Sequence, residues 1–136
     1  RAHAVQSAAL ALSPGDPEIL IDRALTLAGE KKYWEAIDDL NQVVNADSDN
    51  FAALALRASA YRFVDVPGLA REDAAAAFRL APERPEILLE YGIILRLAGD
   101  RDGARRHWLT LIRLHDGTPA ADTARRNLAR MDLPEK

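Results

Sequence analysis

Apolar side chains recur along this chain at steps of three and four. Ile19, Leu20, Ala24 and Leu27 make one such stripe, and Ile87, Leu88, Tyr91 and Leu95 make another. That spacing lines one face of an α-helix, because a helix turns once every 3.6 residues. The stripes are punctuated by helix-start signals: Asp16 before Pro17, Asn50 before Phe51, and Thr118 before Pro119. A capping oxygen followed by a first-turn proline satisfies backbone N–H groups that no helix can pair internally. Asp65 with Pro67, and Gly99 with Asp100, interrupt the stripes. The pattern predicts eight helices, at about Ala2 to Leu12, Pro17 to Gly29, Tyr33 to Asn45, Phe51 to Phe63, Pro67 to Leu80, Pro85 to Leu97, Arg101 to Leu114 and Pro119 to Met131.

The stripes also repeat. Ala2, Ala36, Ala70 and Ala104 stand 34 residues apart, and so do Leu20, Leu54 and Leu88, and Ala24, Ala58 and Gly92. Turn residues Pro14, Ser48, Pro82 and Asp116 keep the same step. Each period holds two helices, so the chain predicts an all-α array of antiparallel helix pairs.

A 34-residue helix-turn-helix period with these small and large columns resembles the tetratricopeptide repeat. The resemblance implies a right-handed α-solenoid over the whole chain, 1–136. Residues 1–16 are the second helix of a truncated preceding repeat, 17–50, 51–84 and 85–118 are three full repeats, and 119–136 is a capping helix. The small residues at the family's eighth and twentieth places are Ala24 and Ala36, Ala58 and Ala70, and Gly92 and Ala104. Departures fall at Arg23 and Arg57, where the family has leucine, and at Pro67, where it has an aromatic residue. Long arginine stems can lie on apolar neighbours and carry the head to water or to an acid. The lone first helix, after an Arg1 start, implies a segment of a longer protein, and Arg125, Arg126 and Arg130 supply the polar face of a terminal cap.

Composition narrows the chemistry. The 136 residues include 26 alanines, no cysteine and a net charge of -3. Thiol catalysis and thiolate metal sites are excluded, and His3, His107 and His115 lack metal-ligand spacing. No glycine-rich phosphate loop or nucleophile elbow occurs. Asp47, Ser48, Asp49 and Asn50 faintly suggest a calcium loop, but Phe51 and Ala58 stand where oxygen ligands would be needed, so a turn is expected. No cofactor, no metal and no enzymatic activity are expected. Mild acidity argues against a nucleic-acid partner, and the longest apolar run, Phe51 to Leu56, is too short to span a membrane. His107 is expected at the surface and Trp108 in the core.

The resemblance places partner contacts on the first helix of each pair, lining a concave face. Its groove places hold Ile21, Asp22 and Leu25 in the first repeat, Ala55, Ser59 and Arg62 in the second, and Leu89, Glu90, Ile93 and Arg96 in the third. Ala52, Leu56 and Glu86 occupy further groove places. One subclass of the family grips a chaperone's C-terminal carboxylate with basic residues here. Glu86 and Glu90 stand at such places instead, which argues against that ligand. A peptide or helix with apolar anchors is the expected partner, and a protein-interaction adaptor the expected function.

The alternatives are a self-assembly module, and an accessory domain of an enzyme encoded elsewhere in a longer chain. Self-assembly draws on charge, with nine acids against four bases over 16–60 and nine bases against six acids from Arg96 onward. The third repeat also resembles bacterial periplasmic arrays, cytochrome c maturation factors among them, and 15 arginines against three lysines fit a GC-rich genome. A bacterial cytoplasm or periplasm is the implied setting, with any targeting signal expected outside this segment.

Overall fold

The structure, a computed structural model, describes residues 2–133, with side chains from residue 4 onward. Arg1, Lys136 and the side chains of Ala2 and His3, all used in the expectations above, lie outside the described residues. The helices are α1 (Ala2–Leu12), α2 (Pro17–Gly29), α3 (Tyr33–Ala46), α4 (Phe51–Phe63), α5 (Pro67–Leu80), α6 (Pro85–Leu97), α7 (Arg101–Leu114) and α8 (Pro119–Met131). The starts of α2, α4, α7 and α8 carry side-chain caps. Asp16 accepts from the Glu18 and Ile19 amides, Asn50 from Ala53, Asp100 from Gly103 and Thr118 from Ala121. Each such cap contributes about 1 kcal/mol.

Every helix packs on the next in the chain, and in addition α2 touches α4, α4 touches α6 and α6 touches α8. Among the described residues the backbones of α3, α5 and α7 do not approach one another in this way, and α5 and α7 meet through the Phe78 and His107 rings. The closer approach on one side makes α2, α4, α6 and α8 the inner row of a curved stack. The core is built in series. Leu20, Ala24, Leu27, Ala36, Leu40, Val43 and Ala53 form one cluster, and Leu88, Leu95, Ala104, Trp108, Leu111, Ala124 and Met131 form another, with no shared residue. Contacts of this kind propagate from neighbour to neighbour rather than through one centre.

Two further columns keep the 34-residue step. The turn inside each pair needs one residue with left-handed backbone, and Lys31 (φ 63°), Asp65 (φ 60°) and Gly99 (φ 89°) supply it. Only glycine takes this conformation without a steric cost, so the first two turns carry strain that the third avoids.

The second column is polar. Arg23 donates from Nε to Asp39 Oδ2 at 2.7 Å and from Nη2 to Asp39 Oδ1, and its Nη1 reaches Ser7 Oγ at 3.1 Å. One repeat later, Arg57 donates from Nε and Nη2 to Asp73 at 2.7 and 2.9 Å, and from Nη1 to Asn41 Oδ1 at 3.0 Å. Each guanidinium therefore ties three consecutive helices, and the paired carboxylate pushes both arginines above their usual pKa, against the opposing effect of burial. Arg23 and Arg57 thus reach an acid, not water.

The third repeat replaces this device with rings. Tyr91 and His107 take the equivalent places and stack at 4.8 Å, with Phe78 edge-on to His107 at 4.6 Å. His107 is half-buried, a correction to its expected surface position, because the face of α7 next to Trp108 turns toward the rings rather than to solvent. Burial, reinforced by the Arg106 guanidinium, holds its pKa below the ordinary 6.5, with Asp100 opposing. The folded state therefore favours neutral His107. Its contribution is complete above the ordinary pKa and is lost as the pH falls toward the lowered one. Thermal stability should decline as the pH falls below the ordinary histidine value of 6.5, and His107→Phe should flatten that decline, as melting curves across a pH series will show.

Candidate functional site

The inner row carries a groove of about 340 Å³ between α2, α4 and α6. Its lining is Ile21 and Leu25 from α2, Phe51, Ala52, Ala55, Leu56 and Ser59 from α4, and Glu86, Ile87 and Glu90 from α6. The helical spacing of 21 and 25, and of 52, 55, 56 and 59, puts these residues on one face of their helices. Alanine and serine keep the floor of α4 low. Leu25 is 49% exposed although its neighbours Ala24 and Leu27 are buried. An apolar side chain held half in water along a groove has surface left to bury.

The groove collects five of the ten residues expected in the site: Ile21, Leu25, Ala55, Ser59 and Glu90. Asp22 stands exposed on α2, beside Ile21 but outside the lining. Arg62 lies beyond the groove and clasps Glu90, donating from Nε at 2.5 Å and from Nη2 at 3.1 Å. Glu90 is thus neutralised within the protein and held rigid, while Glu86 pairs with exposed Arg84 at 2.9 Å. Leu89 is half-buried against the Trp108 cluster, and its carbonyl accepts the Trp108 Nε1 proton at 3.2 Å. Ile93 and Arg96 line a separate cavity between α6 and α8.

Phe51 and Ile87 complete the groove without having been expected. They stand in the first turns of α4 and α6 and pack in one cluster with Leu54 and Ala77, a meeting of different helices that a one-dimensional period does not show.

Among the described residues no cluster of three or more His, Asp or Glu side chains is arranged to hold a metal ion, and no helix is long and apolar enough to cross a membrane. Asp47 and Asn50 form a turn and cap: Asp47 accepts the Asp49 amide at 3.0 Å and Asn50 caps α4. Of the basic residues near the C-terminal end, Arg101 donates to the Met131 carbonyl, Arg105 pairs with Asp132 and Arg125 with Asp116. Asp39, counted among the acids of the other end, is buried against Arg23. Fewer free charges remain for a head-to-tail contact than the sequence alone implies.

A serial stack of antiparallel helix pairs at a 34-residue period, with its groove on the first helix of each pair, is the architecture of the tetratricopeptide-repeat proteins. Solved structures share it. The chain superimposes on TTC0263, a thermophilic TPR protein of Thermus thermophilus, with a TM-score of 0.79 at 22% identity over 96% of this chain and 74% of that one. The first TPR of Spaghetti (RPAP3), bound to the HSP90 peptide SRMEEVD, gives 0.75 at 21% over 85% and 91%. The second TPR domain of human RPAP3, in complex with the HSP70 peptide SGPTIEEVD, gives 0.70 at 24% over 83% and 98%. No protein-family model and no curated relative matches the sequence.

Proposed function

We propose that the protein is a non-catalytic interaction module that holds a peptide or helix of a partner in the groove between α2, α4 and α6. The observation that carries this reading is the half-exposed Leu25 above a continuous apolar floor from Ile21 to Ile87. Amphipathic segments bury their anchors in such grooves. Proteins of the same fold bind peptides, as the RPAP3 domains do, and that supports the class of ligand.

The ligand's chemistry differs from theirs. The groove lining carries no basic side chain to clamp a terminal carboxylate, and its acids are already paired, Glu90 with Arg62 and Glu86 with Arg84, so an internal segment with apolar anchors fits better. The test uses linear 16-residue peptides selected from a displayed random library against the whole chain. Leu25→Glu is expected to weaken the selected peptides by about tenfold or more, about 1.4 kcal/mol, while the circular dichroism spectrum and melting point stay near wild type. Leu89 is a poorer probe, since a charge there would enter the Trp108 cluster. Peptides that bind Leu25→Glu as well as wild type would overturn the groove.

A further inference from the structure

The cavity between α6 and α8 measures about 300 Å³ and differs in chemistry from the groove. Its apolar lining is Ile93, the exposed Leu97 and the buried indole of Trp108, and its polar lining includes Arg96, Asn127 and Arg130. Thr123 also borders it, but its hydroxyl is engaged, donating to the Pro119 carbonyl and accepting from Arg126. The guanidiniums of Arg96 and Arg130 are exposed and have no hydrogen-bond or ion-pair partner among the described residues. That sets them apart from Arg101, Arg105 and Arg125 nearby, each of which spends its fork on an acceptor within the chain.

We propose that this cavity is a binding site for an acidic side chain with an apolar neighbour, presented by a segment of a partner protein. Two guanidiniums can each give parallel N–H donors to a carboxylate, and the Asn127 amide adds another donor. The apolar floor argues for a peptide over a bare inorganic anion, which would gain nothing from Ile93 and Leu97. A nucleic acid needs a long cationic face, and the chain's net charge is -3.

The cavity continues the inner row that carries the groove. At the other end of that row, the carboxylates of Glu18 and Asp22 of α2 are exposed and have no hydrogen-bond or ion-pair partner among the described residues. A segment lying across both basins is therefore oriented, its basic end toward α2 and its acidic end toward α8. This direction rests on the groove reading; the carboxylate site itself does not.

The experiment selects the same displayed 16-residue peptides on the whole chain. It then compares synthetic versions on wild type, on Arg96→Glu with Arg130→Glu, on Leu25→Glu, and on Arg106→Glu with Arg113→Glu. The last pair makes the same charge change on α7, away from the cavity. The expected result is enrichment of Asp or Glu next to an apolar residue. Binding should fall tenfold or more on the cavity double variant but less than threefold on the α7 control. Titration should also shift the indole N–H resonance of Trp108 more than that of Trp34. Peptides lost on Leu25→Glu but indifferent to the cavity variant would overturn the carboxylate site and leave the groove standing. Peptides lost on the cavity variant but indifferent to Leu25→Glu would support the site and overturn the groove. Equal losses on the cavity variant and the α7 control would overturn the site in favour of bulk charge, and a library yielding no binder would overturn both. Melting points of both arginine variants within a few degrees of wild type exclude misfolding as the cause.

Discussion

Gly92→Ala is expected to destabilise the C-terminal half of the array more than any other single-methyl addition. An ideal Cβ at Gly92 would lie 2.1 Å from Trp108 Nε1 and 2.6 Å from Cδ1. The indole has no room to retreat: it is 1% exposed, sits among Leu88, Leu95, Leu111 and Ala124, and donates to the Leu89 carbonyl. Overpacking of this kind costs about 3 kcal/mol, which lowers the melting point of a domain this size by about 10 °C.

The reason is a volume trade between two columns of the repeat. Ala24 shares its cluster with Leu40, and Ala58 shares its own with Ala74, but in the third repeat the partner is Trp108 and glycine replaces alanine. Gly92→Ala combined with Trp108→Leu recreates the first repeat's pairing and should recover much of the loss, so the two changes should be strongly non-additive. Hydrogen exchange is the direct check. Amides of α6, α7 and α8 should lose protection in Gly92→Ala while those of α2 and α3 keep theirs, because the stack is coupled only between neighbours. Uniform loss along the chain would contradict the serial core.

The second large effect concerns the Arg57–Asp73 pair. Its side chains are 16% and 9% exposed, and Arg57 also holds Asn41. Asp73→Leu strands a guanidinium between α3, α4 and α5 and is expected to cost about 3 kcal/mol, as does Arg57→Leu, while the double variant should lie much closer to wild type. Chemical denaturation of the four proteins gives the coupling energy. Additive losses would mean that the pair is solvated and adds little. The third repeat shows that the position tolerates an uncharged solution, because Tyr91 and His107 fill it by stacking.

Much of the scaffold was legible in the primary structure. The period of 34 and the stripes of 3.6 predict eight helices, and seven of their spans coincide with the observed ones, α3 running one residue further to Ala46. Local signals suffice there, since a capping side chain, a proline and a periodic face all act within a few residues. The polar column was half legible. Arg23 and Arg57 stand out as departures from an apolar place, and Asp39 and Asp73 keep the same step, but nothing in one dimension says that residues 16 apart meet. His107 was misread because its surroundings, Phe78 and Tyr91, come from two other helices.

The candidate site divides in the same way. The resemblance to the repeat family puts Ile21, Leu25, Ala55 and Ser59 at groove places, and all four line the groove between α2, α4 and α6. It places none of Thr123, Asn127 and Arg130, because the period fails in the last helix. The 34-residue step puts Asp122 and Arg126 where leucine and alanine stood, whereas the buried residues are Ala121, Ala124 and Met131. By itself the sequence determined the helices, their pairing and their repetition, all of which depend on residues within one period of each other. Only the tertiary structure decided that the inner face is split into an apolar groove and a cationic cavity, that Leu89 belongs to the core, and that Arg62 is consumed by Glu90. Those outcomes depend on how side chains from different helices interlock, as Gly92 and Trp108 do, which is encoded in no single stretch of chain.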